Sequence, residues 1–448
     1  MHRKDGIPVM KNIRYEKSVP VVGAYDLVIC GGGPAGIGAA ICAGKQGLRT
    51  ALVERFGFLG GMATAGYVNP MSEFAYNGRR VLGGAAWEFA RNLIDMGGAV
   101  LETPRCNVSF NPEVYKLAAQ KMLEKAGTAL FMNSVLVDCI TDGGHISSVL
   151  ISNKSGLQAL EASYFIDATG DADLAWMAGV EMLEKTRPMQ PGTLCFTLSG
   201  VDTTTERMHI IHQKNHRFNH QAVFIRDALF ALREKGIDVP LFGGPWLATT
   251  MVDGCITVNM TRSAMLATDS LDYQRAESRM REDVFRLVSL LQQTVPEFSH
   301  CHLESVAPVA GIRESRRIRG LHVLTGDEYV RAVPFEDAVA RSCHAVDIHL
   351  PNDEGQVLRF PEDAGYIPYR CLIDSSHDNL LTAGRAISAD EEAFAATRVQ
   401  APCMETGQAA AFAVSVCLAQ GGAAVQQADL EKLLALVHAA GSCESHEI

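Results

Sequence analysis

The stretch Gly31-Gly32-Gly33-Pro34-Ala35-Gly36 decides the fold of this chain. It follows an apolar, β-rich run at residues 25–30 and precedes residues 37–43, whose composition predicts a helix. A second apolar run of strand length, residues 48–53, ends directly before Glu54. A strand, a tight glycine turn, a helix and a second strand followed by an acidic residue are typical of a Rossmann unit that binds a dinucleotide.

Three glycines of this turn have separate roles in such a unit. Gly31 allows the tight turn, Gly33 lets the backbone approach a pyrophosphate, and Gly36 lets the helix pack closely against the strand. The free N–H groups and the dipole at the start of the helix favour the pyrophosphate. We expect the carboxylate of Glu54 to accept hydrogen bonds from the ribose hydroxyls and to disfavour a 2′-phosphate. The sequence therefore favours FAD or NAD over NADP.

Length, charge and hydropathy exclude several classes of protein. The chain has 448 residues, which is long enough for more than one domain. Its formal net charge of −11 provides no basic surface for nucleic acid. Residues 1–11 lack the apolar segment of a signal peptide, and no run approaches the roughly 20 apolar residues that span a bilayer. We therefore expect a cytoplasmic protein with neither a membrane nor a nucleic-acid partner.

The cysteines do not form a redox or metal motif. The 12 cysteines are scattered without a C-x-x-C pair, which argues against a redox dithiol and a zinc knuckle. The run His300-Cys301-His302 has no partner motif, and adjacent residues rarely converge on one ion. We therefore expect no metal site.

The Rossmann-like pattern is interrupted in the middle of the chain and returns near the C-terminus. Asn111 is the expected N-cap of a helix in the first part. Residues 180–329 carry charged helical segments, of which residues 272–293 are the clearest because their apolar side chains fall on one stripe. From Tyr366 the order of strand, glycine turn and helix recurs. This order predicts a discontinuous nucleotide-binding domain with an insertion.

Several motifs resemble flavoproteins of the glutathione-reductase superfamily, particularly its fumarate-reductase-like branch. They are Pro34-Ala35-Gly36, Val53-Glu54-Arg55, residues 60–66, residues 166–171, residues 379–385 and residues 398–410. Together with residues 311–318, 347–349 and 367–370, they make residues 20–420 similar to the group named FAD-dependent oxidoreductases. The resemblance implies that the cofactor is FAD, and it leaves the substrate open.

The resemblance also implies which residues contact the cofactor. They are Gly31, Gly33, Pro34, Ala35, Gly36, Glu54, Arg55, Gly61, Met62, Val135, Ala168, Thr169, Gly170, Asp171, Gly384, Arg385, Val399, Met404, Gly407 and Gln408. Many relatives carry Gly-Asp where this chain has Gly384-Arg385, and Arg385 is expected either to face the pyrophosphate or to lie at the surface. A helix starting near Met404 is expected to point its N-terminus at the N1–C2=O edge of the flavin.

We accordingly predict an α/β fold, with a Rossmann-type discontinuous FAD-binding domain and an inserted α+β substrate domain. The predicted boundaries are 20–180 for the first part of the FAD-binding domain, 181–330 for the substrate or cap domain, 331–420 for the returning part, and 421–448 for a C-terminal helix and a frayed tail.

Candidate catalytic residues lie after residue 310. His349, between Asp347 and the loop 350–353, is the first candidate for the base, because a neutral imidazole titrates near working pH, and a structural histidine is its alternative role. Arg313 and Arg316 are candidates to clamp an anionic group of the substrate or the flavin, and salt bridges are their alternative role. Tyr369 is expected to line the same cleft, with packing as its alternative.

The leading function is that of a dehydrogenase or reductase, which transfers a hydride between flavin N5 and a small polar organic substrate, anionic or polyhydroxylated. No second GxGxxG follows residue 150, which argues against the disulfide reductases that bind FAD and NAD(P)H on separate folds. Electrons would then come from the substrate, from transiently bound NAD(P)H or from an electron-transfer partner. The alternatives are a flavin oxidase or monooxygenase using dioxygen, and a non-catalytic flavin-binding redox sensor. We expect a homodimer only because dimers are the commonest oligomers of soluble proteins.

Overall fold

The computed structural model describes residues 12–208, 222–352, 355–444 and 446–447. The N-terminal residues 1–11, for which the sequence predicts a cytoplasmic start, and Asp353 of the loop after His349 lie outside the described residues. Within the described ranges, no helix is both long and apolar enough to cross a membrane.

The elements fall into three successive regions. The first contains β1 (Val21–Cys30), α1 (Pro34–Lys45), β2 (Thr50–Val53), β3 (Ala75–Tyr76), β4 (Arg79–Arg80), α2 (Gly84–Asp95), β5 (Ala99–Glu102), β6 (Asn107–Phe110), α3 (Pro112–Lys125), β7 (Ala129–Phe131), β8 (Val135–Asp142), β9 (His145–Asn153), β10 (Gly156–Asp167) and α4 (Asp173–Met177). The second contains β11 (Phe196–Ser199), α5 (Val223–Glu234), β12 (Phe242–Thr249), β13 (Ile256–Thr261), α6 (Ser270–Thr294), β14 (His302–Val306) and α7 (Gly326–Val330). The third contains β15 (Ala338–Ser342), β16 (Val346–His349), β17 (Gln356–Arg359), β18 (Gly365–Pro368), β19 (Leu380–Thr382), α8 (Glu391–Thr397), α9 (Gln400–Ala419), α10 (Leu430–Ala439) and β20 (His446–Glu447).

A seven-stranded sheet forms the centre of the first and third regions. Its strands run in the order β7-β2-β1-β10-β9-β8, and β19 pairs with β10 outside this path. The pairs β7–β2, β2–β1, β1–β10 and β10–β19 are parallel, whereas β10, β9 and β8 form an antiparallel meander. Since β19 comes from the third region and lies beside β10, the chain rejoins the sheet that it left. The predicted α/β fold with a discontinuous Rossmann-type domain is confirmed.

The glycine turn between β1 and α1 has the geometry that the fingerprint predicts. Gly31 has a φ of +107°, and a Cβ there would lie 2.3 Å from the carbonyl oxygen of Ala168 at the end of β10. A Cβ on Gly36 would lie 1.9 Å from the carbonyl oxygen of Gly31. Both positions require glycine, because the turn, the helix and the neighbouring strand end approach one another at backbone distance.

Helices α1 and α9 pack tightly against each other. A Cβ on Gly407 would lie 1.9 Å from the carbonyl oxygen of Ala35, and one on Gly38 would lie 2.3 Å from the carbonyl oxygen of Met404. α9 is buried along nearly its whole length. The small residues therefore bring the third region directly against the nucleotide-binding helix.

The inserted region has its own sheet and its own core. Strands β12-β13-β11-β14 form an antiparallel sheet, and α6 packs beside it. The predicted stripe Met280, Val284, Leu287 and Leu291 of α6 is buried and faces this second core. The insertion is thus α+β, as predicted, while the boundaries at residues 180 and 330 remain predictions.

One prediction about an element end was wrong in detail, because the helix expected near Met404 begins at Gln400. The frayed tail stays a prediction; in the described part of the tail, Ser442 is buried and its hydroxyl accepts a hydrogen bond from Gln408 Nε2 at 2.9 Å. β20 also pairs with β4. The N-cap role of Asn111 is confirmed, since its side chain accepts a hydrogen bond from the backbone N–H of Glu113 at 2.9 Å.

Candidate functional site

A cavity opens where the parallel strands of the large sheet end, between that sheet and the inserted region. It encloses about 1650 Å³ of space free of protein atoms, its open mouth included. The carboxyl ends of β1, β2, β10 and β19 border it, which is where open α/β sheets bind their ligands. One end is lined by the glycine turn and the other by residues from the inserted and third regions.

Most of the predicted cofactor residues meet at the first end. Those that line it are Gly31, Gly33, Pro34, Ala35, Glu54, Arg55, Gly61, Met62, Ala168, Thr169, Gly170, Gly384, Arg385 and Val399. They come from three parts of the chain that are far apart in sequence, residues 31–62, 168–170 and 384–399, and the sheet brings these parts together.

Among the described residues, no side chain covers the backbone N–H groups at the start of α1, beside the glycine turn. A Cβ on Gly33 would meet only the Cα of Gly61, at 3.7 Å, and the two glycines face each other across this gap. Gly33 is also the N-cap of α1 and supplies no side-chain cap to its N–H groups. Uncapped N–H groups at a helix start, with no side chain in front of them, suit the pyrophosphate of a dinucleotide.

Glu54 is held in place at the end of β2. It is buried, one carboxylate oxygen accepts the Gly32 N–H at 2.7 Å, and the other accepts the Phe56 N–H at 2.9 Å. Burial raises the pKa of Glu54, against the effect of these N–H donors. Because a carboxylate has about four acceptor positions, Glu54 can still receive ribose hydroxyls. The residues present therefore fit the adenosine and pyrophosphate parts of FAD.

Arg385 contacts the protein rather than an open phosphate position. Its Nη2 donates to Asp171 at 3.0 Å, its Nε donates to the carbonyl oxygen of Gly170 at 3.3 Å, and its Nη1 donates to the carbonyl oxygen of Ile312. Asp171 does not line the cavity, and it also accepts the hydroxyl of Ser315 at 2.6 Å. Arg385 and Asp171 thus join the end of β10 to the segment that carries Arg313.

Two catalytic candidates lie away from the cavity. Arg316 pairs with Asp173, and its guanidinium lies over the ring of Trp176 at 4.9 Å. Tyr369 is buried, and its hydroxyl donates to the carbonyl oxygen of Val425 at 2.8 Å. Each side chain is engaged by the protein, in an ion pair for Arg316 and in core packing for Tyr369, which were their alternative roles, and their contact with a substrate stays a prediction.

Other predicted cofactor residues lie outside the cavity lining. Val135 begins β8 and is 49% exposed, and the residue before it, Ser134, donates its N–H to the carbonyl oxygen of Glu54 at 3.0 Å. Met404 is buried inside α9, and Gln408 accepts the Ala85 N–H at 2.8 Å. Gly36 and Gly407 form the close helix contacts described above. None of these five residues lines the cavity.

The second end of the cavity gathers charged side chains from separate segments. Its lining includes Arg313, His344, Asp347, His349 and Arg398. Arg313 and His349 were candidates from the sequence, whereas His344 and Arg398 were missed. Arg398 is the first residue of the flavoprotein-like motif at residues 398–410, two positions before α9, and its place there could have identified it.

His349 has a defined tautomer. Arg262 Nη2 lies 2.9 Å from His349 Nδ1, and His349 Nε2 lies 2.9 Å from Asp347 Oδ2. A guanidinium only donates, so Nδ1 accepts and the ring proton is on Nε2, which donates to Asp347. Burial lowers the pKa of His349 to about 4, which keeps the ring neutral at neutral pH. Arg262, also missed by the sequence analysis, therefore sets the state of His349.

The charges at this end are predominantly positive. Burial lowers the pKa of Arg313 and that of Arg398 to about 10, so both stay protonated at neutral pH. Burial raises the pKa of Asp347, but the hydrogen bond from His349 and the charge of Arg398 outweigh it and hold that pKa well below its usual range. The lining at this end thus carries two guanidinium groups and one carboxylate.

The chain is similar to a known protein family and, over a short stretch, to a curated protein. A family model described as FAD dependent oxidoreductase matches residues 26–436. A dihydrolipoyl dehydrogenase from Trypanosoma brucei brucei is 49% identical over 47 residues, which is 10% of this chain and 10% of that protein. The chain therefore matches only about a tenth of the length of this curated relative.

Solved structures are similar at low sequence identity. A geranylgeranyl bacteriochlorophyll reductase-like protein from Thermoplasma acidophilum aligns over 93% of this chain and 84% of its own, with 13% identity and a TM-score of 0.49. A p-nitrophenol 4-monooxygenase from Pseudomonas putida DLL-E4 aligns over 94% and 88%, with 12% identity and a TM-score of 0.49. At these values the likeness gives no guide to substrate or reaction.

Proposed function

Because the chain belongs to the FAD dependent oxidoreductase family, we propose that this FAD enzyme is a dehydrogenase or reductase acting on a small organic anion, held by Arg313 and Arg398. We also propose that the chain belongs to the fumarate-reductase-like branch of flavoproteins, and the sequence motifs support this assignment. FAD, when bound, supplies the two-electron centre that accepts or donates a hydride.

The main support for the proposal is that Arg313 is surrounded by neutral hydrogen-bond acceptors. Its Nη1 donates to the carbonyl oxygen of Pro191 at 2.9 Å and to Thr193 Oγ1 at 2.5 Å, and its Nη2 donates to Asn259 Oδ1 at 3.4 Å. All three acceptors are neutral, and among the described residues no carboxylate lies within ion-pair distance of Arg313. A protonated guanidinium in the interior without a counter-charge is costly, and a bound anion would supply that charge.

Arg398 adds a second cation beside the first. Its Nη2 donates to the carbonyl oxygen of Asp347 at 3.1 Å, and the carboxylate of Asp347 is 4.0 Å away. That carboxylate already accepts the hydrogen bond of His349. One carboxylate shared by these groups leaves the cavity with an excess of positive charge, which favours a carboxylate group on the substrate.

A panel of small molecules tests this proposal. The holoprotein would be mixed anaerobically with 2-hydroxy acids, 2-amino acids and uncharged polyols, and bleaching of the flavin absorbance would be recorded. For the 2-oxo acids the enzyme would be reduced first, and return of the flavin absorbance would be recorded. We expect reaction with acids and none with polyols. Arg313→Met should weaken the binding of malonate, followed through the visible flavin spectrum, by about tenfold or more, since a charged hydrogen bond is worth about 1.5–3 kcal/mol.

Arg275→Met is the matched control, because Arg275 is 70% exposed on α6 and lies outside the cavity lining. It should bind malonate like the wild type. Equal reaction with acids and polyols, or unchanged malonate binding by Arg313→Met, would contradict the proposal. Admitting air to the reduced enzyme then separates the electron acceptors: reoxidation within seconds points to an oxidase or monooxygenase, and slow reoxidation points to a dehydrogenase.

A further inference from the structure

We infer that His344, and not His349, exchanges the substrate's proton in this site. The inference rests on the proposed function, because it assumes that hydride transfer is accompanied by loss or gain of a proton on an oxygen or nitrogen of the substrate. The sequence had made His349 the first candidate for the base.

His349 has no nitrogen available for this task. Its Nδ1 accepts from the guanidinium of Arg262 at 2.9 Å, and its Nε2 donates to Asp347 at 2.9 Å. Taking up a proton would place an N–H on Nδ1, directly opposite a donor of Arg262. The ring therefore acts as a neutral link that orients Asp347, and His349 is a positioning residue.

His344 presents the opposite arrangement. Its Nδ1 lies 2.7 Å from the carbonyl oxygen of Ala345, which can only accept, so the ring proton is on Nδ1. Nε2 then carries a lone pair and, among the described residues, has no hydrogen-bond partner. Since His344 lines the cavity, this lone pair belongs to the side chain that a substrate can reach.

The backbone of His344 is held from both sides. Its N–H donates to Ser342 Oγ at 3.3 Å, and its carbonyl oxygen accepts the hydroxyl of Tyr329 at 2.6 Å. Tyr329 is itself buried. A ring with a fixed tautomer on a fixed backbone is the preorganised arrangement that proton transfer needs.

His344 can take up the proton that the substrate loses. In the oxidative direction, the O–H or N–H bond of the substrate breaks and its proton forms an N–H bond on His344 Nε2, giving an imidazolium. The carbon–hydrogen electron pair leaves as hydride to the FAD of the proposed function, which is reduced by two electrons, and a C=O or C=N bond forms in the substrate. Asp347, which interacts electrostatically with His344, stabilises the imidazolium. In the reductive direction each transfer is reversed.

Labelling with diethyl pyrocarbonate tests the state of both rings without turnover, because the reagent acylates an unprotonated, accessible imidazole nitrogen. In the holoprotein at neutral pH, peptide mass spectrometry should find His344 modified and His349 unmodified. Malonate should protect His344. Modification of His349 with His344 left intact would overturn the inference.

Turnover of the acid found by the panel tests the role itself. His344→Gln should lower kcat by about 10²–10⁴-fold, the usual contribution of general acid–base catalysis, with malonate binding within about threefold of the wild type. Added imidazole should restore activity to His344→Ala and not to His349→Ala. A His344→Gln enzyme whose kcat stays within about twofold of the wild type would refute the inference. If no acid is turned over, the proposed function fails, while the labelling result still decides which histidine is reactive.

Discussion

The most direct test of the cofactor site is Gly33→Ala, because this substitution separates ligand binding from folding. Gly33 has φ −75° and ψ −173°, which alanine adopts without strain. The added Cβ would be 3.7 Å from Gly61 Cα, an ordinary contact, and would project into the space in front of α1. The protein itself therefore has room for the methyl group, whereas a pyrophosphate bound there does not.

The expected magnitudes follow from these distances. Alanine at a helix N-cap costs a few tenths of a kcal/mol to about 1 kcal/mol relative to glycine, and the smaller unfolded-state entropy returns about 0.4–1 kcal/mol. The apoprotein should then melt within about 1 °C of the wild type. Displacing a phosphate from one backbone N–H removes about 1.5–3 kcal/mol, which raises the FAD dissociation constant about 10- to 150-fold.

Titration of the apoprotein with FAD, followed by quenching of flavin fluorescence, measures the dissociation constant, and calorimetry of the apoprotein measures folding. Gly36→Ala is the contrasting variant, since its Cβ would lie 1.9 Å from the carbonyl oxygen of Gly31 and should impair folding itself. If Gly33→Ala binds FAD within about threefold of the wild type, the pyrophosphate does not lie against Gly33. If its apoprotein is strongly destabilised, the geometry of the turn is wrong.

Three other substitutions test the helix contact, the acidic residue of the fingerprint and the buried histidine. Gly407→Ala places a Cβ 1.9 Å from the carbonyl oxygen of Ala35 and should cost at least about 1–3 kcal/mol in urea unfolding, as over-packing does, and a variant as stable as the wild type would contradict the packing. Glu54→Gln should weaken FAD binding about tenfold, since hydrogen bonds to a charged group are worth about 1.5–3 kcal/mol, and an unchanged dissociation constant would exclude Glu54 from the nucleotide site. For His349, with a pKa lowered to about 4, the stabilising contribution is complete above pH 6.5 and is lost as the pH falls towards 4, so about 2 kcal/mol is lost by pH 5. His349→Gln should not show this loss of stability at low pH. The same pH dependence of urea unfolding in His349→Gln and the wild type would refute this prediction.

The nucleotide half of the molecule could be predicted because its determinants are local. The turn at Gly31, the ends of β1 and β2 and Glu54 lie within about one βαβ unit, where sequence spacing fixes spatial spacing. The exact start of α9 could not be predicted, since Gln400 and Ala401 fit a helix as well as a loop and only packing against α1 decides. The contact between Ser442 and Gln408 could not be predicted for the same reason, since the two residues are 34 positions apart in sequence.

The substrate half could not be predicted from spacing, because its chemistry depends on contacts between distant segments. The tautomer of His349 is set by Arg262, 87 residues away, and no local pattern around either residue contains that information. His344 and His349 look alike in sequence, both close to Asp347, yet one ring has both nitrogens engaged and the other has a free lone pair. Histidine chemistry depends on which nitrogen carries the proton, and neighbours decide this rather than residue type. The choice of a proton-transfer residue in this enzyme therefore requires the hydrogen-bond network, and the network favours His344.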